Sequence, residues 1–290
     1  MTPDADDLNA YDLIRPERLE TAVIFSSPHS GRDYPAAFLA ASALGAQMLR
    51  SSEDAFVDQL FDCAPLFGAP LLAARLPRAY LDLNRAADEL DPAVIEGVQR
   101  APHNPRVSSG LGVIPRVVGA GRSIYRCKLP LAEAETRIAR HWHPYHRALR
   151  QLIDETHRHF GEAVLIDCHS MPHESIDAHA RPGTPRPDVV LGDRFGAAAS
   201  GEVMDRIEAA FAGAGLQVAR NAPFAGAYIA QAYGRPLRRQ HVVQVEIDRA
   251  LYMDEARISP LPEFAAFRAV MSGVIADITD IGRRLPLAAE

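Results

Sequence analysis

Residues 164–172 read VLIDCHSMP. An apolar run as short as Val164 to Ile166, closed by polar residues and a proline, is the pattern of a buried strand. It ends on Asp167, Cys168 and His169, which packing alone gives no reason to place there. Side chains alternate across a strand, so Asp167 and His169 share one face while Cys168 turns to the other, into packing. A second stretch, FSSPHSG at 25–31, repeats the pattern. Its apolar run, Ala22 to Phe25, stops at Ser-Pro-His-Ser-Gly and presents His29. Two strand ends that each carry a histidine predict a site assembled at one edge of a sheet.

Working outward, AVIFS (22–26), PLLAAR (70–75), AYLDLN (79–84), AVLID (163–167), DVVLG (188–192) and HVVQVEID (241–248) read as strands. Helices are expected over 53–68, 136–160, 200–214 and 262–284. In the second of these, Ile138, Trp142, Tyr145, Leu149, Leu152 and Thr156 recur at three- and four-residue steps. Pro144 should kink that helix or start a second one. A Gly/Pro-rich segment from 97 to about 130 is too irregular for a regular element. Strands alternating with helices predict an α/β sandwich whose sheet is largely parallel. Ligands in such sheets bind beyond the carboxyl ends of the strands. We expect one domain over 1–290, with residues 1–20 as an N-terminal extension.

Composition narrows the function. A chain of 290 residues with 48% hydrophobic and 23% charged residues is ordinary for a soluble protein. No apolar run approaches the ~20 residues of a membrane span, and MTPDADDLNAYD lacks the features of a signal peptide. Cys63, Cys127 and Cys168 are odd in number and widely spaced, which suits a reducing cytoplasm. A net charge of -6 argues against nucleic acid or an anionic membrane as partner. The sequence specifies no oligomeric state.

Either histidine alone reads as a residue closing a strand by hydrogen bonding. Together, with acids nearby, they read as metal ligands, because catalytic zinc takes two histidines and a carboxylate and keeps a position open. The segment Ser51-Ser52-Glu53-Asp54 supplies two candidate acids, and reads equally as an N-cap with first-turn acids facing the helix dipole. In HVVQVEID, Gln244, Glu246 and Asp248 alternate with Val243, Val245 and Ile247. An unpaired carboxylate in a central strand costs several kcal/mol, so Glu246 either pairs with an arginine or serves as a general base for a metal-activated water. His143 and His146 flank Pro144, and are expected to cap the kink or face solvent. No GxSxG elbow, GxGxxG turn or P-loop is present.

The charge map is uneven. Between Glu96 and Glu133 there is no Asp or Glu, while Arg100, Arg106, Arg116, Arg122, Arg126 and Lys128 fall inside. Clearing acids from one loop region of an acidic protein predicts a small anionic substrate. Glycines at 110, 112, 119 and 121 allow close backbone approach or mobility there.

These residues carry a resemblance. PHSG (28–31), EDAFVD (53–58), RAYLDLNR (78–85), GLGVIPR (110–116), IYR (124–126), DCHSMP (167–172) and QVEID (244–248) together resemble the N-formylglutamate amidohydrolase family from about residue 20 to 275. The resemblance implies a zinc-dependent amide hydrolase with a three-layer αβα sandwich of phosphorylase/hydrolase type, related to the zinc carboxypeptidases. It implies one zinc ion held by His29, His169 and an acid, with Asp54 the match and Glu53 the alternative. Phe56 departs from relatives that carry histidine there. Glu246 resembles the general base, and Asn84-Arg85 the pair that holds a substrate carboxylate. A second carboxylate would fall to Arg126 or Arg116. Tyr228 would close over the substrate, stabilise the oxyanion or simply pack its loop. The substrate implied is N-formyl-L-glutamate, with another N-acyl amino acid or peptide, or a non-catalytic acidic-ligand binder, as alternatives.

Overall fold

The computed structural model describes residues 9–99, 104–177 and 186–283. Its centre is a seven-stranded sheet formed by β1 (Tyr11–Ile14), β2 (Val23–Ser27), β3 (Leu71–Ala74), β4 (Ala163–Met171), β5 (Val189–Gly192), β6 (Val218–Arg220) and β7 (Gln240–Asp248). The strand order is β1-β3-β2-β4-β7-β5-β6. The pairings β3–β2, β2–β4, β4–β7 and β5–β6 are parallel, whereas β1–β3 and β7–β5 are antiparallel. β2, β4 and β7 are buried on both faces, as strands covered by helices on each side must be.

Helix α1 (His143–Phe160) covers one face, packing Tyr145, Leu149 and Leu152 on Ile24, Leu165 and Val242. Each such side chain contributes roughly 1.5–3 kcal/mol by leaving water. Gly161, at φ 75° in the left-handed region, terminates α1. On the other face lie α2 (Gly201–Gly213) and α4 (Phe264–Thr279), against Phe25, Ile166, Val243 and Val245. Between them in sequence, α3 (Tyr228–Tyr233) packs beside β7. The expected three-layer sandwich is present. Among the described residues, no helix is long and apolar enough to cross a membrane.

Three expectations change and one is met. Residues 79–84 are an irregular loop rather than a strand, because their polar groups are claimed from outside a sheet: Asp82 N donates to Val113 O, and the ring Nε2 of His146 bonds Leu83 O. The helix over 53–68 is broken to Val57–Leu60 and a 3-10 turn at Ala64–Phe67, since Phe56 sits at φ 66°. Pro144 starts a second helix, as expected: a π-helical turn over Ile138–Trp142 precedes α1 and leaves the proline in its first turn, where no N–H is needed. Tyr11–Ile14, inside the expected N-terminal extension, forms the antiparallel edge strand β1; residues 1–8 lie outside the described residues.

Candidate active site

The carboxyl ends of β2, β4 and β7 open into a cavity of about 640 Å³. The alternation inferred for β4 holds, with Asp167 and His169 on the face of α1 and Cys168 in the opposite core. Burial pushes the Cys168 thiol up, away from the thiolate that a nucleophile needs. In the β4–β7 register Asp167 pairs with Gln244 and His169 with Glu246, so four polar residues meet on one patch of sheet. Such a patch persists only if its members satisfy one another.

His29, Asp54 and His169 converge, each buried, with one ligand atom apiece all within 4.8 Å of one another. His29 Nδ1 lies 3.4 Å and His169 Nδ1 2.8 Å from Asp54 Oδ2. The far nitrogens are held by acids: His29 Nε2 lies 2.7 Å from Asp82 Oδ1, and His169 Nε2 lies 3.2 Å from Asp167 Oδ2. A carboxylate only accepts, so His29 Nε2 carries the proton and its neutral ring turns the lone pair of Nδ1 inward. His29 Nδ1 is a buried polar atom without a hydrogen-bond partner. A ring lone pair directed at a carboxylate oxygen needs a cation between them. Orphaned nitrogen, donor set and acid-backed histidines fit a divalent metal. Without one, a proton takes part of that role. Burial works against the charge on His169, yet Asp167 and Asp54 hold its pKa well above the ordinary histidine range. Asp54 goes the other way: burial would raise it, but its hydrogen bond with His169 and the nearness of both histidines hold it well below the ordinary carboxylate range.

Glu53, the alternative acid, turns away to Arg50 and to the hydroxyl of Tyr34. Arg249 secures Asp54 from behind, its Nη2 3.1 Å from Oδ1 and its Nε 3.2 Å from Ser170 Oγ. Phe56 packs on Phe264, on the far side of the sheet from α1.

Glu246 lines the cavity and is only 8% exposed. Burial, reinforced by the charge of Asp54 and opposed by that of His169, leaves its pKa pushed up to about 7. Gln244 Nε2 donates to Glu246 Oε1 at 2.7 Å, while Gln244 Oε1 accepts from Ala227 N at 2.8 Å. The glutamine thereby fixes the carboxyl against the loop before α3.

Asn84 and Arg85 line the same cavity, but Asn84 is committed elsewhere. Its Nδ2 lies 3.2 Å from Asp167 Oδ2 and 3.0 Å from His169 Nε2, and its Oδ1 accepts from Ile229 N. It positions the histidine rather than facing a ligand. Arg85 is anchored through Nε to Leu111 O and through Nη1 to Asn84 O, and its own carbonyl accepts from Trp142 Nε1. The remaining expected contacts are not brought together. Arg116 is paired with Asp91 at 2.9 Å, and Arg126 is exposed; neither lines the cavity. Tyr228 packs against Trp142 and His146 instead. From the acid-free segment it is Arg106 that lines the cavity. Arg100 lies outside the described residues. His146 is buried rather than solvent-facing, its Nδ1 2.9 Å from the Tyr233 hydroxyl.

The profile of a known family, described as N-formylglutamate amidohydrolase, matches residues 21–253. The chain belongs to the N-formylglutamate amidohydrolase family. Among this family's members, the N-formylglutamate deformylase of Pseudomonas aeruginosa is 32% identical over 243 residues, covering 82% of this chain and 85% of its own. That of Pseudomonas putida is 30% identical over 236 residues, covering 80% and 82%. A solved N-formylglutamate amidohydrolase from Ralstonia eutropha superposes with a TM-score of 0.88 at 34% identity, covering 94% of this chain and 98% of its own.

Proposed function

We infer that the chain is a metal-dependent amidohydrolase that cleaves N-formyl-L-glutamate to formate and glutamate. The observation that carries the reading is the convergence of His29, Asp54 and His169, each histidine backed by an acid, beside a buried Glu246 in the same cavity. The names of the relatives supply the substrate.

A divalent ion on His29, His169 and Asp54, zinc by the family resemblance, supplies Lewis-acid polarisation of the formyl carbonyl and lowers the pKa of water at the site to about 7. The chain does the rest. Gln244 occupies Oε1 of Glu246, leaving Oε2 to take a proton from the attacking water. Glu246 both accepts that proton and gives it up, as a general acid–base group must. Water oxygen bonds to the formyl carbon, the C–N bond breaks, and Glu246 returns the proton to the departing amine nitrogen. Arg85, anchored on two backbone carbonyls, holds the carboxylate on the amino-acid carbon. Asp82, Asp167 and Asn84 keep the rings from turning.

The test is hydrolysis by zinc-loaded protein of N-formyl-, N-acetyl- and N-succinyl-L-glutamate, with formate and free amine both measured. Preference for the formyl compound, lost on chelation and regained with zinc, is the expected result. Preference for another acyl group reassigns the substrate. No release from any of the three leaves only ligand binding for this site.

A further inference from the structure

Four arginines reach the cavity that holds Glu246: Arg78, Arg85, Arg106 and Arg249. Two are committed to acids of its floor, Arg78 Nη2 to Asp82 Oδ2 at 2.8 Å and Arg249 Nη2 to Asp54 Oδ1 at 3.1 Å. The other two are not neutralised in this way. Arg85 has one ion-pair contact, with Asp82 at the limiting distance of 4.0 Å, and its Nε and Nη1 are used on carbonyls. Among the described residues, the Arg106 guanidinium makes no ion pair or hydrogen bond.

The position of Arg106 is nonetheless built. It stands on the single turn Pro105–Ser108, whose start is fixed by Asn104 Oδ1 accepting from the N–H groups of Arg106 and Val107 at 2.9 and 3.4 Å. The N–H of Leu111 donates to Arg106 O at 2.8 Å, and the carbonyl of that same leucine accepts from Arg85 Nε at 2.8 Å. One residue's backbone thus ties both arginines into a single unit. Burial, with the nearby charges of Arg78 and Arg106, draws the Arg85 guanidinium below its ordinary pKa despite Asp82. Two neighbouring cations at one cavity wall, short of counter-charge, are suited to a ligand with two carboxylates.

We propose that Arg106 is the residue that reads the second carboxylate of the substrate, while Arg85 holds the first, so that the cavity selects N-acyl amino dicarboxylates. Arg116 and Arg126 take no part. The assignment rests on the amidohydrolase reading above and adds to it the residue that sets side-chain specificity.

The test compares kcat/KM for N-formyl-L-glutamate and N-formyl-L-glutamine, near-equal in shape and one charge apart, on zinc-loaded parent, Arg106→Ala, Arg106→Lys and Arg126→Ala. The parent should favour the glutamate by about ten- to a hundredfold. Arg106→Ala should bring that ratio to within about threefold of unity, Arg106→Lys should keep part of it, and Arg126→Ala should keep all of it. A ratio preserved in Arg106→Ala, or lost in Arg126→Ala, overturns the proposal. Equal hydrolysis of both substrates by the parent overturns it too, while leaving the deformylase reading in place. If neither substrate is hydrolysed, that reading fails. Calorimetric titration of the two compounds into parent and Arg106→Ala then decides for Arg106 by the same ratio, taken from Kd.

Discussion

His169 and Glu246 are Cα partners in the parallel pairing of β4 with β7. A histidine directed at Asp54 and a carboxyl pushed up to about 7 are therefore nearest neighbours across one ladder, on the same face. Their spacing is set by backbone hydrogen bonds, the least adjustable part of the fold.

Glu246→Gln keeps the shape of the carboxyl and removes its basicity. Turnover should fall by roughly two to four orders of magnitude, with metal content and substrate Kd close to the parent's. Steady-state kinetics beside elemental analysis checks this; parental turnover would make Glu246 a structural residue.

About one divalent ion per chain is expected by elemental analysis, with activity lost on chelation. His29→Ala and His169→Ala should each lose the ion and remain folded by circular dichroism. Asp82→Asn touches no ligand atom yet takes away the negative charge behind the His29 Nε2 proton, so metal affinity should drop by about 10–100-fold. Full activity in protein shown to be metal-free would end the metal assignment.

Gly31, in the PHSG segment, has no room for a side chain. A Cβ there would lie 2.1 Å from the backbone oxygen of Leu76, which cannot swing aside. Gly31→Ala should cost about 1–3 kcal/mol in urea unfolding, and should lower metal content because His29 is two residues away. Wild-type stability in that variant would show that the 28–31 loop moves freely.

His146 gives stability a pH dependence away from the catalytic groups. Its Nε2 must donate to the Leu83 carbonyl, so the neutral ring accepts at Nδ1 from the Tyr233 hydroxyl. Burial, aided by Arg150 and His143 and opposed by the bond to Leu83, pushes its pKa down to about 4. The unfolded value is about 6.5, so between the two the unfolded chain binds the proton and the folded chain does not. Stability should be flat above about 6.5 and fall on acidification, by on the order of 2 kcal/mol down to about pH 5. His141, pushed down to about 4 by burial and by Arg140 and Arg137, adds a similar slope. His146→Gln should reduce the dependence in urea unfolding at a series of pH values. An unchanged slope would place the cause elsewhere.

Strand ends and face alternation were legible in the sequence because they depend on local pattern. His29, His169 and Glu246 line one cavity as the residues suggested, and of the two candidate acids it is Asp54, the one favoured by the family resemblance, that joins them. What pattern could not show was the partner across a loop. The acid-free window from Glu96 to Glu133 hid the fact that Arg116 is neutralised by Asp91, just upstream of it. Asn84 resembled a ligand-gripping residue, but its amide is used within the protein. Asp82, Gln244 and Arg249 were passed over. The signal for Asp82 was an acid set among Tyr80, Leu81 and Leu83, a burial cost that implies a partner. Arg106 is indistinguishable from its neighbours in composition, and only its place in the cavity wall, on the capped turn after Asn104, singles it out.

The last strand of the sheet to be synthesised, β7, does not join at an edge but enters between β4 and β5. Until Gln240–Asp248 emerge from the ribosome, β4 carries an unpaired flank and the half-sheets on either side have no seam. His29, Asp54 and His169 all precede that strand and Glu246 lies within it. A nascent chain therefore has every proposed metal ligand before it has its proposed base, and on that reading closing the sheet is the same event as arming it for hydrolysis.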